Sequence, residues 1–441
     1  MLLGPLAYLV EHRIRIAEGA VRNRYGPLMK FDTAYYKLAN GVRVLTIAMQ
    51  GVESVTALIL AKTGSRNESV HQAGISHVLE HMVFKGTKSY PSPMDLASAV
   101  DGVGAEQNAF TSKEYTGYYI TCAAKHLSLA LDIQSEMVTV PLIPQVDLER
   151  EREVIVEEIN MYEDHPMERA AEEFENLIYG GSSMGRLIIG TKETVRATSA
   201  RSLKGYMKEW YRGGNMLVVV AGKLPANQVL TDMIQQQFGG IEKGNIAPYI
   251  TTASYGKKQS YHLQKKTEQA HFLIGVPAIS MDDPRRYSLQ LGQVILGGGM
   301  SSRLFNEIRE KRGLAYYVKA DLDTSYDVGY LAVRAGVKLE NLSEAMEVVR
   351  HELFRLADTL TELEVSRAKE YLLGRLTLSL EDSMGVAQFF GTRALILDKI
   401  RQPREVMSAV QRVTMKQVRE VLKDLVAERH LRSVVVGPRD H

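Results

Sequence analysis

His77 and His81 stand four residues apart and enclose Glu80 in the pentad His77-Val78-Leu79-Glu80-His81. On a helix, positions i and i+4 lie one above the other, so the two imidazoles can grip one ion. Neutral imidazole is a zinc ligand, and bound zinc brings the pKa of a water down to about 7, where a nearby carboxylate can take its proton. The order H-x-x-E-H is the inverse of H-E-x-x-H, and in both a helix presents two metal ligands and a glutamate base. Eleven histidines in 441 residues make a chance pentad a real alternative, so the setting matters. Val78, Leu79, Met82, Val83 and Phe84 surround the histidines with apolar side chains, and Gly86 offers a helix stop. Imidazoles on so apolar a helix are costly to bury without partners, and a metal ion is one such partner.

A third ligand is sought in the run from Asp147 to Ile159, which reads as a helix. At 3.6 residues per turn, Glu151, Val154, Ile155, Glu158 and Tyr162 share one face, whereas Glu157 falls beside Glu153 and Met161. A charge run is commonly a solvated helix surface, and that suits Glu149, Arg150, Arg152, Glu153 and Glu157. It suits Glu151 and Glu158 poorly, because carboxylates on an apolar stripe need a cation or donors. Glu158 is therefore the expected third ligand, and Glu151 a residue that orients the site.

With these residues in place, the chain resembles the pitrilysin-type inverzincin metallopeptidases, which include insulysin and the mitochondrial processing peptidases. Members carry H-x-x-E-H followed downstream by a glutamate pair in the pattern E-x6-E, here Glu151 to Glu158. The resemblance implies His77, His81 and Glu158 as ligands of one Zn2+ per chain, Glu80 as general base and Glu151 as accessory carboxylate. In the second half, Met300 to Phe305 leads to Arg309 and Tyr316. Family enzymes have an arginine and a tyrosine at this spacing, facing the zinc and holding the substrate and its oxyanion. Read alone, that segment is a helix with exposed cations, a Gly313 cap and the start of a strand. The stretch Glu106 to Thr116 resembles the family's N-A-x-T edge strand, which implies Asn108 and Ala109 as substrate-binding residues. Any exposed edge can pair with an extended peptide, yet the same residues also read as a polar turn feeding a strand. One departure is Gly180 to Thr191, where Ser183-Met184 stands in place of the His-Pro often found in relatives. That predicts altered local packing and unchanged chemistry.

The elements that must position these groups follow one plan twice. The first half is expected to run strand 55–61, helix 73–85, strand 115–122, helices 126–162, helix 201–210, strand 216–221. The second runs strand 271–276, helices 283–311, strand 329–335, helices 340–380, helix 414–427, strand 433–436. Each half is α+β, an antiparallel sheet with helices on one face. The expected division is an extension at 1–28, a zinc-carrying domain at 29–238, a Gly-rich linker at 239–258 and a second domain at 259–441 that faces the zinc. In the family such halves form a clamshell whose full chamber takes four domains, so the resemblance implies a dimer, with itself or with a related chain.

Composition bounds the rest. Net charge of +2 gives no reason to expect nucleic acid or an anionic membrane as partner, and 45% hydrophobic with 24% charged residues is ordinary for a globular protein. Cys122 is the only cysteine, which excludes an internal disulfide and a cysteine zinc site. The longest apolar runs are strand-sized, so no membrane span is expected. Residues 1–28 include Glu11 and Glu18 and no serine, unlike a transit peptide, and place their charge after the apolar stretch, unlike a secretory signal. The cytoplasm is the expected location, ahead of the mitochondrial matrix. The expected function is a zinc endopeptidase acting on peptides or unfolded segments inside a closed chamber. The alternatives are a non-proteolytic or partner-dependent subunit and a metal-dependent hydrolase of a small amide or ester.

Overall fold

A computed structural model describes residues 30–251 and 255–438. The extension expected at 1–28 lies outside them. The first half contains β1 (Asp32–Lys37), β2 (Arg43–Ala48), β3 (Ser54–Ala61), α1 (Ile75–Met82), α2 (Pro93–Asp101), β4 (Glu106–Thr111), β5 (Thr116–Ala123), α3 (Leu127–Thr139), α4 (Gln145–Asp164), α5 (Pro166–Ile178), α6 (Lys192–Ala197), α7 (Ala200–Trp210), β6 (Met216–Gly222) and α8 (Asn227–Phe238). The second contains β7 (Ser260–Gln264), β8 (Gln269–Ala278), α9 (Arg286–Gly297), β9 (Ala315–Thr324), β10 (Gly329–Lys338), α10 (Leu342–Thr359), α11 (Glu362–Leu378), α12 (Ser383–Leu397), α13 (Pro403–Arg412), α14 (Met415–Leu425) and β11 (Arg432–Gly437).

The sheet orders are β1-β2-β6-β3-β5-β4 and β7-β11-β8-β10-β9. In each, one parallel pair, β2 with β6 or β7 with β11, joins an otherwise antiparallel sheet. The halves therefore correspond element by element: β3, α1, β4, β5, α3 and α4 match β8, α9, β9, β10, α10 and α11. The edge strands β4 and β9 occupy equivalent places.

The other face of each sheet is covered by a helix from the opposite half. α5 leaves the first half to pack on β8 and β11, and α12 returns from the second to pack on β3 and β6. This explains why β3 and β6, SVTALILA and MLVVVAG, are apolar without alternation, since a strand covered on both faces has no side to give to water. Gly391 lets α12 approach closely, because a Cβ there would stand 3.0 Å from Val219 Cγ2 and 3.1 Å from Leu60 Cδ1. Buried Arg43 on β2 donates to the carbonyls of Ala394 (3.1 Å) and Leu395 (3.3 Å), placing a cation at the negative C-terminal end of α12.

Two further ties fix the halves together. Arg66, fully buried, pairs with Glu114 at 2.5 Å and with Asp327 at 2.6 Å, linking the β4–β5 turn to the β9–β10 turn. The described part of segment 239–258 runs along the first half: Gly213 N–H donates to Glu242 O, Lys62 Nζ to Ala247 O and Arg66 Nε to Ile250 O.

Candidate metal centre

α1 starts on a prepared socket. Gly74 adopts φ 90°, and a Cβ there would fall 2.5 Å from the carbonyl oxygen of Ile189, so this entry to the helix requires glycine. The Glu68 carboxylate, almost wholly buried, accepts from Gly74 N–H (2.7 Å) and Ser76 N–H (2.9 Å), placing an anion on the free donors at the helix start. Gly190, in the loop where the sequence departs from relatives, backs directly onto Gly74. That loop thus supports α1 without supplying a ligand.

α1 packs against α4, which brings His77, His81 and Glu158 together. His77 Nε2 and His81 Nε2 each stand 3.7 Å from Glu158 Oε2. Tetrahedral donors at ~2.1 Å from a zinc ion are roughly 3.4 Å apart, so the spacing suits an ion at their centre. Glu151 Oε2 lies 3.1 Å from His81 Nδ1, while its Oε1 lies 2.6 Å from Lys85 Nζ. A carboxylate only accepts, so His81 Nδ1 donates to Glu151, which leaves Nε2, facing Glu158, as the ligand atom. Burial, helped by neighbouring His81, lowers the His77 pKa to about 3, so this imidazole is neutral. Lone pairs thus converge with a carboxylate oxygen, an arrangement that needs a cation between them. The donor set of two nitrogens and one carboxylate fits zinc.

Glu80 is held for a different task. Its Oε2 accepts from Thr111 Oγ1 at 2.5 Å, and burial raises its pKa. Burial also raises that of Glu158, against the lowering effect of His81. A carboxylate that binds a proton more readily than in water suits a group that must accept and return one, as at Glu80; at Glu158 the same shift marks a half-buried charge that needs a cation beside it.

Thr111 lies on β4, the free edge of the first sheet. On that edge the Ala109 N–H is taken up by the side-chain oxygen of Asn108 at 2.8 Å. Thr111, Lys85 and Glu68 escaped the sequence reading, although Thr111 is the last residue of the N-A-x-T pattern and its threonine was a signal. Val154, expected on the ligand-bearing stripe, is 48% exposed, because it lies at the margin of the line through Glu151, Ile155 and Glu158.

Arg309 and Tyr316 are close to one another. Arg309 lies in the last turn of a π-helical segment, Phe305–Glu310, and its guanidinium lies 4.9 Å from the Phe305 ring centroid and 5.1 Å from that of Tyr316. Tyr316 is 78% exposed, and neither side chain makes a hydrogen bond or ion pair with His77, Glu80, His81 or Glu158. Gly313 follows at φ 61°, the expected turn into β9.

Residues 43–192 match the family described as Insulinase (Peptidase family M16), and residues 198–372 match the Peptidase M16 inactive domain. An uncharacterized zinc protease of Streptomyces coelicolor is 35% identical over 414 residues, covering 91% of this chain and 88% of that protein. The uncharacterized zinc protease YmxG of Bacillus subtilis is 34% identical over 399 residues, covering 89% and 95%. Among solved structures, a peptidase M16 inactive domain from Pseudomonas fluorescens superposes with TM-score 0.87 at 20% identity, covering 93% of this chain and 98% of that one. A protease from Helicobacter pylori gives TM-score 0.83 at 21% identity, covering 93% and 100%. These structures share the two-sheet fold.

Proposed function

This chain belongs to peptidase family M16, and on that premise we propose that it is a zinc-dependent endopeptidase of peptides and unfolded polypeptide segments. The observation that carries the reading is the convergence of His77 Nε2, His81 Nε2 and Glu158 Oε2 beside a separately held Glu80. Bound there, zinc supplies a Lewis acid that acidifies a water and polarises a carbonyl. Glu80 takes the proton of the attacking water and returns it to the leaving amine. Glu151 keeps His81 in the tautomer that offers Nε2. A peptide in extended form adds to the free edge of β4, displacing the Asn108 side chain from the Ala109 N–H.

Arg309 and Tyr316 make no hydrogen bond or ion pair with the triad of their own chain, which favours a second copy as the source of this pair. In that homodimer they steady the developing oxyanion inside a chamber enclosed by four domains. No helix among the described residues is long and apolar enough to cross a membrane.

The test is cleavage of a quenched fluorescent peptide library by purified protein, with chelator and with zinc restored. Chelator-sensitive cleavage that zinc rescues supports the reading. A zinc-loaded dimer that cleaves no peptide sinks it and favours the partner-dependent subunit.

A further inference from the structure

The duplication gives the metal centre a counterpart. α1, α4 and β4 frame the first site, and α9, α11 and β9 meet in the same way in the second half. At that place lies a cavity of about 510 Å³, within the range of small-molecule sites. α9 lines it with Arg286, Gln290, Gln293 and Val294, spaced i, i+4, i+7 and i+8 on one helix face, as α1 presents His77 and His81. None of these is a metal ligand of the kind α1 supplies.

The charge has changed sign as well. Arg286 from α9, Arg375 from α11 and Arg393 from α12 all line the cavity. Among the described residues Arg375 and Arg393 form no ion pair, whereas Arg286 stands 3.9 Å from Asp282, itself held by Lys399, and near Asp283, which Arg285 binds. The two acids of the cavity lie on the β9 wall: Asp321 is bound between Lys319 and Arg334 at 2.8 Å each, and burial, with the Glu175 charge of the first half, raises the Asp323 pKa to about 6, toward its neutral form. The helix wall therefore carries three guanidinium groups, of which two, Arg375 and Arg393, have no acid in an ion pair with them. Tyr287 beside them registers the excess. Burial would raise its pKa, but the hydrogen bond from Arg286 (2.7 Å) and the proximity of Arg393 leave it lowered.

We propose that the cavity between α9, α11 and α12 binds a small oxyanion of at least two negative charges, a phosphate or a dicarboxylate, at the position where the first half binds its metal. Guanidinium groups offer paired N–H donors matched to the oxygens of either group. The inference rests on the duplicated geometry and the charges, and stands whether or not the enzyme is a peptidase.

Isothermal titration of the zinc-loaded full chain with inorganic phosphate, and separately with succinate, tests it. The expected result is saturable binding of one anion per chain, weakened at least tenfold by Arg375→Glu and by Arg393→Gln. Arg375 is exposed, so its replacement leaves the fold intact. The stronger of the two probes identifies phosphate or carboxylate as the preferred group. Binding must also persist in His81→Ala, which removes zinc. Absence of saturable heat with both probes, affinity unchanged in Arg375→Glu, or binding lost together with the zinc would each overturn the proposal.

Discussion

The cleft between α1 and α4 and the cavity between α9 and α11 are built on equivalent elements and carry opposite charge requirements. In the first, burial pushes His77 down and Glu80 and Glu158 up, so every shifted group moves toward its uncharged form, as expected where a cation is needed to balance the site. In the second, Tyr287 moves down despite burial, because fixed positive charge already stands beside it. The scaffold determines where two helices and an edge strand converge. The side chains on one face of the first helix determine what can be held there.

The largest expected effect separates chemistry from metal binding at the first site. Glu80→Gln should lower kcat by about 10²–10⁴-fold, the range for losing a general base, while zinc content by elemental analysis stays at one per chain. Undiminished turnover would break the assignment, and a second zinc per chain would break the contrast between the halves. Next, Glu151→Ala should weaken zinc affinity by roughly 10–100-fold in a chelator competition, because His81 loses the partner that fixes its tautomer. Thr111→Val should reduce kcat by about tenfold, the order of one hydrogen bond to a charged group, with Thr111→Ser restoring most of it. An equal loss in both variants would reduce Thr111 to a packing residue.

The smallest effect concerns acid stability of the metal-free protein. The His77 pKa is lowered in the fold, so as pH falls below its ordinary 6.5 the unfolded chain takes up the proton first, and stability declines toward pH 3. Glu80 and Glu158 are raised and act in the opposite sense, being protonated first in the folded state. Between pH 7 and 4, the Tm of metal-free protein should therefore fall more for wild type than for His77→Asn. Parallel curves would show that His77 is not held neutral.

Much of the first site was legible because its signals are local. His77, Glu80 and His81 lie in one helical turn, and Glu151 and Glu158 lie two turns apart on one helix. The repeated order of strands and helices was legible for a similar reason, since each strand shows its own apolar run. Contacts between distant segments were not. Nothing next to Lys85 or Glu68 in sequence marks them, and only α4 and the socket of α1 bring their partners close. The cavity cations are drawn from three helices, and nothing near Arg286, Arg375 or Arg393 in sequence announces the others. The exchange of α5 and α12 was hidden too, because α12 is apolar on nearly every side and its sequence does not say which sheet it covers.

That exchange sets a timetable for synthesis. The face of β3 and β6 that includes Leu58, Leu60 and Val219 is completed by α12, whose last residue, Leu397, follows β6 by some 175 residues. At about 5–20 residues per second, the nascent first half waits roughly 10–35 s with that face bare. A ribosome-bound chain ending near residue 240 should therefore recruit holdase chaperones or be cut readily by added protease, and lengthening it past Leu397 should end both.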